Sequence, residues 1–71
     1  MKAFLKSNEI KKILIRRNIS QNYFAILVGT SSGYMSHLMT GKRNPSPKMR
    51  IKILKALNRK EFNNIFEIQN K

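Results

Sequence analysis

The run Ser20 to Pro45, SQNYFAILVGTSSGYMSHLMTGKRNP, narrows the choice of fold most, because start and stop signals for two short helices follow one another inside it. Ser20 suits the N-cap of a helix opening at Gln21, since its hydroxyl can accept from one of the first free backbone N–H groups. Phe24, Ala25, Leu27 and Val28 then give an apolar stripe at helical spacing. Gly29 stands where the chain must turn left-handed to stop, a conformation that glycine adopts without steric cost. Ser31 offers a second cap at once. The helix it opens runs to about Thr40, and Gly41 ends it in the same way.

The second helix has two distinct sides. Met35, Leu38 and Met39 fall on one face at i, i+3 and i+4 and can pack on the helix before it. Ser32, Gly33, Ser36, His37 and Thr40 occupy the opposite face, all small or polar and none acidic. Such a face can enter a DNA major groove without repelling phosphate. Lys42, Arg43 and Asn44 come directly after it, placed to grip a backbone strand, and Pro45 stiffens the exit.

These residues resemble the Cro and phage-repressor type of helix-turn-helix. Its pattern is Gln, three residues, Ala, three residues, Gly, then Ser or Thr, a recognition helix and Gly-basic-basic-x-Pro. Gln21, Ala25, Gly29, Ser31, Ser36, Gly41, Lys42, Arg43 and Pro45 match it in order and without a gap. The likeness spans roughly Ile10 to Leu57. Two positions depart: Met39 stands where many members carry Glu, and Leu14 where many carry Arg. The resemblance implies an all-α fold, a compact bundle of five short helices like the lambda-repressor DNA-binding domain. It also implies double-stranded DNA as partner, and a homodimer on two-fold operators.

Charge points the same way. Fifteen Lys and Arg against three Asp and Glu give a formal net charge of +12 on 71 residues, an attractive field for a polyanion. A membrane surface is the other anionic candidate. The longest unbroken apolar run, Phe24 to Val28, is far short of the ~20 residues that span a bilayer. The opening MKAFLKSNEIKK lacks the apolar centre of a signal peptide, so a cytoplasmic location is expected.

Residues 1–71 read as one domain, with the helix-turn-helix at about 20–41. A chain of this length buries only about 60% of its extended surface, so help from a partner subunit or tight helix packing is expected. Phe4 and Leu5, in the basic lead-in, either fold back on the core or fray. Ser7 or Asn8 is expected to cap a first helix, Glu9 to Arg17, with Ile10, Ile13, Leu14 and the aliphatic stem of Arg17 inward, and Asn18 to end it. Ser46 and Pro47 should open a fourth helix with Met49, Ile53, Leu54 and Leu57 toward the core. Asn58 and Glu61 form a capping-box-like pair for a fifth helix, Arg59 to about Ile68. Its Phe62, Ile65 and Phe66 either pack into the core or form a dimer contact. With Glu61 and Glu67 also there, this end is expected to be the least attractive to DNA.

Catalysis is not expected. Glu9, Glu61 and Glu67 are widely spaced, the absence of cysteine excludes a thiolate metal site, and His37, the only histidine, excludes a zinc site built from His pairs, so the chain is poor in the groups that catalysis needs. No cofactor is implied. For DNA, Ser32, Gly33, Ser36 and His37 are the base-edge candidates. Gln21, Thr40, Lys42, Arg43 and Asn44 are the phosphate candidates, with Ser31, Tyr34 and Lys48 at the margin. A regulator of a phage or mobile element fits best. An antitoxin with a toxin as protein partner, or a sequence-blind architectural binder, would draw on the same charge.

Overall fold

The computed structural model describes residues 2–69. Its elements are β1 (Lys2–Leu5), α1 (Ser7–Arg16), α2 (Gln21–Val28), α3 (Ser32–Thr40), α4 (Pro47–Ala56), α5 (Phe62–Ile65) and β2 (Phe66–Gln69). The five helices form a compact, mostly helical globule, and the two strands pair antiparallel beside them. Helix α2 packs on both α3 and α4, α1 lies against α5, and β1 runs along α3. Phe24, Ile10, Met35, Ile53 and Leu57 sit at the centre with no exposed surface.

Helix α1 begins two residues before the expected Glu9. Lys6 takes the N-cap position without a side-chain bond, and the Ser7 hydroxyl donates instead to the Met39 carbonyl, tying α1 to the end of α3. The helix ends at Arg16, with Asn18 left-handed at φ 56°. The Asn18 N–H donates to Ile15 O and the Ile19 N–H to Leu14 O, both at 3.1 Å, a Schellman closure that satisfies two free carbonyls.

Helix α4 closes in the same way. Asn58 is left-handed at φ 53°, its N–H donates to Lys55 O at 3.0 Å, and that of Arg59 donates to Leu54 O at 2.9 Å. The Arg17 guanidinium reaches across to donate to the Ala56 and Leu57 carbonyls, a second cap on the negative end of α4. Arg17 thus does more than supply an aliphatic stem.

Because Asn58 stops α4, it cannot also start a fifth helix over 59–68. Helix α5 is a single turn, Glu61 sits at its N-cap without a side-chain cap bond, and Phe66 is already extended at φ −123°, ψ 151°. Residues 66–69 pair with the N-terminal lead-in, Leu5 opposite Phe66, Phe4 opposite Glu67, Ala3 opposite Ile68 and Lys2 opposite Gln69. The Lys6 N–H continues the contact to Ile65 O at 2.8 Å. The lead-in therefore folds back on the core, with Ala3 and Leu5 buried.

Ile65 and Phe66 are each 1% exposed and packed among Leu5, Ile10 and Leu57 in one cluster. They have no surface to offer a second copy, so the dimer contact suggested for Phe62, Ile65 and Phe66 is corrected to a core role for these two. Phe62 is half-buried and stacks against Phe66, ring centroids 4.9 Å apart. On α2, Phe24, Ala25 and Val28 are buried as the stripe implied, but Leu27 is exposed, because the buried arc of this two-turn helix is narrower than the apolar run.

Candidate nucleic-acid interface

Three residues join α2 to α3, and local bonds fix their path. Gly29 is left-handed at φ 88°, where a side chain would be strained, and the Thr30 N–H donates back to Ala25 O at 2.9 Å. Ser31 then accepts from the Tyr34 N–H at 3.1 Å, as Ser20 accepts from Tyr23 at 3.0 Å at the head of α2. Each cap satisfies a free helical donor, worth about 1 kcal/mol. Together they set the angle at which α3 leaves α2.

Packing then fixes the roll of α3. Met35, Leu38 and Met39 are buried against the core, so the opposite side is turned outward. Ser31, Ser32, Gly33, His37 and Thr40 are exposed, while Ser36 and Tyr34 are half-buried at its edges, Tyr34 resting against the core cluster. Met39 and Leu14, the two departures from the resemblance, are 7% and 5% exposed. Both act as core residues.

Gly33 has ordinary helical geometry, and a Cβ there would meet nothing within 4 Å. The fold therefore makes no demand for glycine, although glycine costs a helix about 1 kcal/mol relative to alanine. Thr40 donates its hydroxyl proton to Ser36 O at 2.9 Å. In that rotamer its hydroxyl proton is engaged and is not available to a phosphate oxygen.

Beyond α3, Gly41 turns left-handed at φ 80° and the Arg43 N–H donates to His37 O at 3.2 Å, folding the basic loop against the helix end. Lys42, Arg43 and Asn44 are exposed, Pro45 is buried beneath them, and Ser46 caps α4 by accepting from Met49 N–H at 3.2 Å. Lys48 is exposed on the first turn of α4, and Gln21 is half-buried on the first turn of α2. Lys42, Arg43 and Asn44 lie at the C-terminal end of α3.

From Ile10 to Lys60 the chain contains no acid. Among the described residues one ion pair forms, Lys12 with Glu9 at 3.4 Å, on the exposed side of α1. The basic surface is therefore almost unneutralised. Glu67 lines a shallow groove with Thr40 and Gly41, brought there by the pairing of β2 with β1. The period-two alternation Phe66-Glu67-Ile68-Gln69 was the available strand signal.

Helix α3 is thus capped by Ser31, turned outward on three buried apolar residues, and followed by a left-handed glycine and two cations. A helix-turn-helix family profile matches residues 10–62. The chain belongs to the Cro and phage-repressor type of helix-turn-helix family. It is a DNA-binding helix-turn-helix regulator. A search of curated proteins found no significant match to the chain. Among the described residues no helix is long and apolar enough to cross a membrane, and no cluster of three or more His, Cys, Asp or Glu could hold a metal ion.

Proposed function

We propose that this helix-turn-helix protein is a transcriptional repressor of a phage or mobile element that binds its operator as a homodimer. The supporting observation is the outward face of α3: exposed, free of acid, and bordered by Lys42 and Arg43. In this reading α3 enters the major groove, with Ser32, Gly33, Ser36 and His37 at the base edges. Gln21, Lys42, Arg43, Asn44 and Lys48 take phosphates, and Ser31 and Tyr34 flank the entry. Bare backbone at Gly33 lets the helix approach closely, which accounts for a glycine that the fold does not need. Two protomers would read half-sites about 34 Å apart. Repression follows from occupancy, since a promoter covered by the dimer is closed to polymerase.

Serine and histidine make few bidentate base contacts, so part of the selectivity is assigned to DNA shape. Selection of bound fragments from random duplex DNA tests the proposal directly. A recovered two-fold motif bound ~10³-fold or more above bulk DNA supports operator recognition. Recovery of no motif would favour the architectural reading. On the selected site His37→Ala is expected to lose more affinity than on random DNA. Arg43→Ala should weaken both alike and reduce the slope of log K against log salt by about 0.9, one phosphate contact. Salt titrations of both variants on the two DNAs provide the measurement.

A further inference from the structure

Lys2 and Arg50 are among the cations to which the helix-turn-helix pattern gives no role. The fold brings them to the same groove, lined by Lys2, Ala3, Asn44, Pro45, Ser46, Pro47, Arg50 and Ile68. No acid is in that lining. Arg50 is half-buried with its guanidinium over the Phe62 ring, 5.8 Å from the centroid, and its Nε is buried without a hydrogen-bond partner. No carboxylate among the described residues lies within ion-pair distance of it.

An arginine held by stacking rather than by an acid keeps its remaining N–H donors free and its position fixed. That is the arrangement suited to a tetrahedral oxyanion, which the guanidinium fork matches. Lys2 adds a second charge from β1, and the Ser46 hydroxyl and Asn44 amide stand at the rim. The rim is also the continuation of Lys42 and Arg43, immediately upstream of it, so an anion here lies beside the strand that those residues grip.

We propose that this groove between β1, the Asn44–Pro47 turn and the first turns of α4 seats a backbone phosphate of the bound DNA, with Arg50 and Lys2 as its ligands. The proposal rests on the DNA-binding reading of α3 and widens that interface beyond the helix-turn-helix. It makes the β1–β2 pairing part of the binding surface, because that pairing is what carries Lys2 to the groove.

Duplex binding between 50 and 200 mM salt tests it in the full-length protein, using Lys2→Gln, Arg50→Met, the double variant, and Arg59→Gln as a control cation on the α1–α5 side. The double variant is expected to reduce the salt slope by about 0.9, with no change for Arg59→Gln. Ethylation interference should reveal one phosphate whose modification weakens the wild type and leaves the double variant unaffected. If Arg50→Met fails to fold, Lys2→Gln carries the test alone, since its strand position tolerates glutamine.

An unchanged slope and interference pattern, with Arg43→Ala still defective, would overturn the groove while leaving the α3 reading intact. Wild-type protein that binds no duplex at low salt would remove both. Stabilisation of the free protein by millimolar inorganic phosphate, lost in the double variant but without any change in DNA binding, would assign the groove to a free anion and also overturn the proposal.

Discussion

Ser32→Glu is expected to lower DNA affinity about a hundredfold or more while leaving the fold at least as stable as before. Ser32 is the first residue of α3, is exposed, and its side chain is not needed for the cap that Ser31 supplies. A carboxylate in the first turn of a helix meets the positive end of the dipole, a gain of roughly 0.3 to 1 kcal/mol. In the proposed complex the same carboxylate enters a groove flanked by phosphates, and like charges brought together at an interface cost several kcal/mol. The two effects have opposite signs, so a thermal melt and a fluorescence-anisotropy titration separate them. Unaltered affinity in a variant with a raised or equal melting point would mean that this end of α3 is not against the duplex.

Phe66→Ala should cost about 3 to 5 kcal/mol of folding stability, the range for deleting a fully buried phenyl ring. Phe66 is 1% exposed, opposes Leu5 across the strand pair, stacks on Phe62 and joins the central cluster. In domains of this size each kcal/mol moves the melting point by roughly 4 to 8 °C, so a fall of more than about 12 °C is expected by calorimetry. Half-buried Phe62 should lose clearly less on truncation. If residues 59–68 formed a helix with an exposed aromatic face, Phe66→Ala would cost under about 1 kcal/mol, and that result would remove the β1–β2 pairing from the fold.

The helix-turn-helix was legible from the residues because each of its boundaries has a local cause. A serine cap acts over three residues, and a left-handed glycine acts on its own backbone, so Ser20, Gly29, Ser31 and Gly41 speak for themselves. The roll of α3 was equally readable, since Met35, Leu38 and Met39 outweigh the polar side. Asn58 shows where local reading fails. Asparagine serves as an N-cap or as a left-handed stop, and the residues beside it do not choose. Leu27 failed for another reason: an apolar stripe shows which residues can be buried, not how wide a neighbour will cover.

The amino-acid sequence by itself determined the two-helix reading unit, its acid-free face and the surplus of positive charge, all of which arise within one or two helical turns. Tertiary structure decided that residues 66–69 pair with residues 2–5, that Ile65 and Phe66 belong to the core, that Glu67 shares a groove with Thr40 and Gly41, and that Lys2 and Arg50 line another. Those outcomes depend on contacts between segments distant in the chain. Whether such segments meet is set by the closure of the whole chain and the apolar surface it buries.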